Sequence, residues 1–139
     1  MIVYVDTSVL LKLLITEPGS ETATEIWQSA DVLAAARIEY AEARAALAAA
    51  VRGGRITADQ LTEVKVELEG LWAQFVIVEI TEALVGLAGE LAEAEGLRGY
   101  DAIHLAAAIT VAADVVATAD VDLLDAATRR GIHAANPST

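Results

Sequence analysis

The chain has no cysteine, two prolines, one phenylalanine, two tryptophans and three tyrosines among 139 residues. Without cysteine it has no disulfide, no thiolate metal site and no cysteine nucleophile, which is typical of a cytoplasmic protein. Apolar runs are short. The longest, residues 105–113, is well below the about 20 residues that cross a membrane as a helix. The amino terminus lacks the basic start of a signal peptide. We therefore expect a soluble cytoplasmic protein with no membrane partner.

Positive charge is also scarce: the chain has 9 basic and 21 acidic residues, and its net charge is −12. General nucleic-acid binders carry a basic surface, so this composition argues against that class and is the strongest objection to a nucleic-acid substrate. Bound metal ions would offset part of the charge, and the remainder favours a positively charged protein partner. Hydrophobic residues make up 55% of the chain. Much of this is alanine, which favours closely packed helices.

Short apolar runs alternate with helical stretches along the whole chain. The predicted strands cover residues 2–5, 32–35, 75–80 and 115–118, with 132–134 as a candidate fifth. Strands that alternate with helices favour a parallel sheet covered on both faces. We predict a single α/β domain over residues 1–135 and a loose tail over residues 136–139.

Four acidic residues stand out: Asp6, Glu42, Asp101 and Asp120. Three of them follow a predicted strand or open a helix, and ligand sites of open α/β sheets lie at the carboxyl ends of the strands. Four carboxylates at one place would repel one another unless a hard cation such as Mg²⁺ or Mn²⁺ lay between them. The pattern predicts a small metal-dependent phosphodiesterase.

Each acid also has a simpler structural interpretation. Asp6 and Asp120 are suitable helix N-caps, and Asp101 would favour the first turn of its helix by charge. Asp122 could replace or assist Asp120. Glu42 could be a rim glutamate, and Glu39 projects only about 60° away from it on the same helix, so periodicity does not separate the two. His104 lies one turn after Asp101 on the same helical face. A histidine there more often orients a carboxylate or lines the wall of the site than binds a metal.

The segments around these acids resemble the PIN-domain nucleases, and specifically the VapC-type toxins of bacterial toxin–antitoxin pairs. The most distinctive one contains Tyr100-Asp101-Ala102-Ile103-His104-Leu105-Ala106. The others are Val3-Tyr4-Val5-Asp6-Thr7-Ser8, Tyr40-Ala41-Glu42-Ala43-Arg44 and Val116-Ala117-Thr118-Ala119-Asp120. One departure is that Val121 and Asp122 follow Asp120, where the family often has a basic residue.

The resemblance selects Glu42 over Glu39 and implies a three-layer α/β/α fold with a central parallel sheet. It also implies Mg²⁺ or Mn²⁺ dependence, endonucleolytic cleavage of RNA, a homodimer and a cognate antitoxin. On this basis Asp6, Glu42, Asp101 and Asp120 are the predicted catalytic residues. Asp6, Asp101 and Asp120 are the predicted metal ligands, and Glu42 completes the shell directly or through water.

Two other functions share part of this pattern. A phosphoacceptor module also has acids at strand ends, but the aspartate phosphatases need a second acid where this chain has Ser8. A receiver domain needs paired acids after its first strand, and here only Asp6 follows it. The other alternative is a catalytically silent PIN-like domain that binds only a protein partner.

Overall fold

The computed structural model describes residues 1–138, which form five strands and seven helices. The strands are β1 (Ile2–Val5), β2 (Val32–Ala36), β3 (Phe75–Val78), β4 (Val115–Ala117) and β5 (His133–Ala135). The helices are α1 (Thr7–Leu14), α2 (Ser20–Ser29), α3 (Glu39–Arg52), α4 (Ala58–Trp72), α5 (Glu82–Glu95), α6 (Gly99–Thr110) and α7 (Val121–Arg129). None of the helices within residues 1–138 combines the length and the apolar character needed to cross a bilayer.

The five strands form one parallel sheet in the order β3-β2-β1-β4-β5. Successive side chains of a strand point to opposite faces, so each strand contributes to two cores. Val3 and Val5 pack with helices α1 to α4, whereas Tyr4 packs with helices α5 to α7. The predicted three-layer α/β/α fold with a central parallel sheet is confirmed.

The strand predicted over residues 75–80 ends earlier, at Val78. Its last two residues belong to the turn that begins α5, because Thr81 N donates to Glu79 O. The Thr81 side chain then accepts a hydrogen bond from Leu84 N and caps the helix, so the backbone leaves the sheet before residue 79. The candidate fifth strand is present one residue further along the chain than predicted, at His133–Ala135.

Part of the tail packs on the domain. Pro137 is buried, and its carbonyl oxygen would lie 2.8 Å from a Cβ added at Gly19. Gly19 has a φ of +94°, which favours glycine, so both its backbone conformation and this close approach explain the residue. Of the tail that was predicted to be loose, residue 139 lies outside the described residues.

Candidate active site

The strand order reverses direction at β1, which pairs with β2 on one side and with β4 on the other. Such a switch point leaves a crevice outside the carboxyl ends of the two strands, where ligands of open α/β sheets bind. Asp6 directly follows β1, and Thr118 and Asp120 follow β4. Asp6 N also donates to Ala117 O at 3.1 Å, which holds the two strand ends together. Two of the predicted site residues therefore lie at the expected edge.

Asp6 is a buried N-cap of α1 with both carboxylate oxygens hydrogen-bonded. Oδ1 accepts from Ser8 Oγ at 2.5 Å and from Val9 N at 3.3 Å, while Oδ2 accepts from Thr118 Oγ1 at 2.5 Å. Burial raises the pKa of Asp6, and its hydroxyl and backbone donors partly oppose that shift. The capping interpretation is thus correct for Asp6. Capping does not exclude a ligand role, because an ionised carboxylate offers further lone pairs.

Asp120 is likewise an N-cap, since its Oδ1 accepts from the backbone nitrogens of Asp122 and Leu123. Its other oxygen, Oδ2, lies 3.6 Å from Nη2 of Arg98. The side chain of Asp122 is exposed and lines a separate small cavity beside Glu95. Between the two acids of this segment, only Asp120 lies beside another predicted site residue.

That neighbour is Asp101, which lies in the first turn of α6 with 8% of its surface exposed. Arg98 Nε donates to Asp101 Oδ2 at 3.2 Å, so one guanidinium bridges Asp101 and Asp120. Burial raises the pKa of Asp101; Arg98 lowers it, and the charge of Asp120 raises it again. The structure thus brings two of the predicted metal ligands together, with an arginine as their present counter-charge.

Glu42 lies across the site on α3. Its Oε1 accepts from Thr7 Oγ1 at 2.9 Å and lies 3.2 Å from Nε2 of His104. Although burial raises the pKa of Glu42, the hydrogen bond and charge of His104 lower it below the usual range. His104 was expected to orient a carboxylate or line the wall of the site, and Glu42 is the carboxylate that lies nearer to it, with Glu39 Oε2 at 3.9 Å from Nδ1. Asp101, one turn before it, bonds to Arg98 instead.

Glu39 has a different environment from Glu42, although the two are less than one helical turn apart. Glu39 is fully buried, and its Oε2 accepts from Ala36 N at 2.8 Å. Its Oε1 is buried and has no hydrogen-bond partner within residues 1–138. Burial raises the pKa of Glu39 well above the usual range, and the nearby His104 opposes this. Glu39 is therefore part of the interior behind the site and not of its open edge.

Sequence reasoning missed most of this buried polar network. Tyr4 Oη lies 2.7 Å from Nδ1 of His104, and both side chains are buried. Although burial lowers the pKa of His104, the carboxylates of Glu42, Glu39 and Asp6 raise it to about 9. The available signal was that Tyr4 is a polar residue at a strand position where the pattern requires a buried side chain.

The four acids do not form a preassembled metal cage. Within residues 1–138, no three histidine, aspartate or glutamate side chains lie close enough together to hold a metal ion. The donor chemistry nevertheless fits Mg²⁺ or Mn²⁺, because every candidate ligand is a carboxylate oxygen and hard cations prefer oxygen. Asp6, Asp101 and Asp120 would hold such an ion after Arg98 left the Asp101–Asp120 pair.

Comparison with known proteins agrees with this architecture. The sequence profile of the PIN domain family matches residues 3–129. The chain belongs to the PIN domain family. It is 44% identical to ribonuclease VapC45 of Mycobacterium tuberculosis over 110 residues, which cover 79% of this chain and 76% of that protein.

Two solved structures share the PIN fold. FitAcB from Neisseria gonorrhoeae has a TM-score of 0.75 at 21% identity, with 97% of each chain covered. A toxin–antitoxin complex from Klebsiella pneumoniae has a TM-score of 0.64 at 20% identity, with 88% of this chain and 89% of that chain covered. At these identities the two structures establish the common fold only.

Proposed function

We propose that this PIN domain is a Mg²⁺- or Mn²⁺-dependent endoribonuclease and the toxin of a toxin–antitoxin pair. The observation that carries the proposal is the set of acids at the β1/β4 switch point, with Asp6 and Asp120 at the strand ends and Asp101 beside Asp120. The identity to a protein named as a ribonuclease supports RNA as the substrate.

In this proposal Asp6 and Asp101 are the central ligands, Asp120 is the third, and Glu42 completes the shell directly or through water. A divalent ion held there lowers the pKa of water and stabilises negative charge on the reacting phosphate. Ser8 and Thr118 hold the Asp6 carboxylate in one orientation through their hydroxyl groups. A fixed carboxylate loses less conformational freedom when it binds a ligand.

Arg98 changes its contacts in this proposal. If a bound cation neutralised Asp101 and Asp120, the Arg98 guanidinium would no longer be needed as their counter-charge. The side chain is 81% exposed, so it can turn outward at little cost in packing. There it would contact the RNA backbone, which arginine binds through paired N–H donors.

The proposed partners are an RNA substrate, a cognate antitoxin and a second copy of the chain. The net charge of −12 favours a basic antitoxin, because opposite charge speeds association and adds specificity. The contact of Arg98 with two acids indicates that a guanidinium from such a partner would suit the same pair. The fold shared with the Klebsiella toxin–antitoxin complex also supports an antitoxin partner.

The test is cleavage of total cellular RNA by the purified, antitoxin-free chain with Mg²⁺ or Mn²⁺, with new 5′ ends mapped by sequencing. We expect discrete ends that disappear with EDTA and in Asp101→Asn. Asp59→Asn is the matched control, because Asp59 is an exposed acid in the first turn of α4, away from the switch point. Cuts that persist in Asp101→Asn would contradict the assigned site.

The second candidate is a catalytically silent PIN domain that binds only a protein. The absence of a preassembled metal group within residues 1–138 favours it. A folded chain that neither cuts RNA nor binds Mn²⁺, but still binds its antitoxin, would establish this alternative.

A further inference from the structure

His104 is a buried side chain whose two ring nitrogens contact two different elements of the fold. Only 5% of the residue is exposed. Nδ1 lies 2.7 Å from the Tyr4 hydroxyl on β1, and Nε2 lies 3.2 Å from Glu42 Oε1 on α3. The Tyr4 and His104 rings also pack edge to face, with centroids 6.0 Å apart. These contacts on both sides fix the plane and the direction of the imidazole.

Among residues 1–138, the contacts that hold the Glu42 carboxylate are both made to one of its oxygens. Thr7 Oγ1 and His104 Nε2 both approach Oε1, and neither contact involves Oε2. A glutamate has three rotatable bonds, so an exposed one samples many orientations and loses that freedom when it binds a ligand. Two contacts on one oxygen restrict this freedom and leave the second oxygen outside both of them.

We propose that His104 is the positioning residue of Glu42: Tyr4 orients the imidazole, Nε2 holds Oε1, and Oε2 is thereby presented to the divalent ion. This inference rests on the proposed metal-dependent function. His104 does not touch the ion or the RNA and acts only through Glu42. Side chains that orient a ligating carboxylate typically change metal affinity by 10- to 100-fold when they are replaced.

The simpler interpretation is that His104 only fills the core and satisfies the buried Tyr4 hydroxyl, which needs a partner. That role requires Nδ1 but not Nε2. The two interpretations therefore differ in which ring nitrogen matters, and two amide substitutions separate them. The amide nitrogen of glutamine reaches about as far as Nε2, whereas that of asparagine reaches only about as far as Nδ1.

The experiment measures Mn²⁺ affinity by isothermal titration calorimetry for the wild type, His104→Gln and His104→Asn. We expect His104→Asn to bind Mn²⁺ about tenfold more weakly and His104→Gln to stay within about threefold of the wild type. Circular dichroism and thermal unfolding confirm that each variant is folded. Equal affinities in the two variants, or a larger loss in His104→Gln, would overturn the proposal.

A second measurement needs no substitution of His104, so it tests the proposal even if neither His104→Gln nor His104→Asn folds. The chain has two histidines, His104 and the exposed His133, so a ¹⁵N-histidine sample gives only two imidazole signal sets. We expect Mg²⁺ to shift the His104 signals and not those of His133, and Glu42→Gln to shift His104 Nε2 without metal. If Glu42→Gln leaves the His104 signals unchanged, the contact is absent and the proposal fails.

The outcomes also separate this inference from the proposed function. If the wild type binds Mn²⁺ and His104→Asn binds it equally well, only the positioning role is wrong. If the folded wild type does not bind Mn²⁺ at all, the metal-dependent function is wrong and the positioning role fails with it.

Discussion

Replacing Thr118 with valine tests how the ends of β1 and β4 are held together. Thr118 is fully buried and makes two hydrogen bonds through one hydroxyl: it donates to Asp6 Oδ2 at 2.5 Å and accepts from Asp120 N at 2.9 Å. Valine has nearly the same shape, so the core stays filled while both bonds are lost. A buried carboxylate oxygen and a backbone N–H are then left without these partners.

The expected cost follows from these two bonds. A hydrogen bond to a charged group contributes about 1.5–3 kcal/mol and a neutral one about 0.5–1.5 kcal/mol. Asp6 keeps its two donors on Oδ1, so its carboxylate loses only one of its three hydrogen bonds. We therefore expect Thr118→Val to lower the free energy of unfolding by about 3 kcal/mol. The control Thr118→Ser keeps the hydroxyl and loses one buried methyl group, which costs about 1 kcal/mol.

The assay is urea unfolding of the metal-free chain in EDTA, with stability taken from the midpoint and slope of the transition. A double-mutant cycle with Asp6→Asn identifies the bond responsible. In the Asp6→Asn background, Thr118→Val should cost at least about 1 kcal/mol less, because the bond to a charged group has become neutral. A loss in Thr118→Val no larger than that in Thr118→Ser, or no coupling with Asp6, would refute this reasoning.

Four further predictions concern single residues. Arg98→Ala should tighten Mn²⁺ binding up to about fivefold, because the exposed guanidinium no longer competes for its two carboxylates; titration calorimetry checks this. The pKa of His104, about 9, exceeds the usual 6.5, so the protonated imidazole stabilises the fold fully below about pH 6.5. This contribution to the free energy of unfolding is lost as the pH rises through about 9, and urea titrations over this range check it. Thr57→Ala should lower stability by about 1 kcal/mol without changing Mn²⁺ affinity, because it removes only the capping box of α4. Glu39→Gln should keep Mn²⁺ affinity, whereas Glu42→Gln should weaken it. Because burial raises the pKa of Glu39, the stability of Glu39→Gln in urea, relative to the wild type, should increase as the pH rises above the usual carboxyl range.

Much of the fold could be predicted because local signals agreed with the global arrangement. Short apolar runs alternated with helical stretches, and a parallel sheet covered on both faces buries such a pattern. Element boundaries were less predictable. The end of β3 depends on the Thr81 cap, and an apolar residue such as Ile80 continues the strand pattern although its backbone has already turned.

The positions of the acids were predictable only in part. Asp6 and Asp120 follow strands that the topology makes neighbours, so their placement follows from the strand order. The contact of Arg98 with Asp101 and Asp120 was not predictable. The contact depends on the directions of three side chains: Arg98 just before α6, Asp101 in its first turn, and Asp120 just before α7. Sequence spacing does not specify these directions.

Glu39 and Glu42 show most clearly where sequence reasoning ends. Two side chains about 60° apart on a helix have the same predicted amphipathic position, so periodicity cannot assign one to the core and the other to an edge. The structure separates them through neighbours distant in sequence: Thr7 and His104 contact Glu42, whereas Glu39 turns back to Ala36 N. A buried carboxyl group whose Oε1 has no hydrogen-bond partner in the described part of the chain is costly. Glu39 lies close to His104, and the positive charge of His104 offsets part of this cost. Glu39 and Glu42 therefore share one histidine, which lies 3.9 Å from Glu39 Oε2 through Nδ1 and 3.2 Å from Glu42 Oε1 through Nε2.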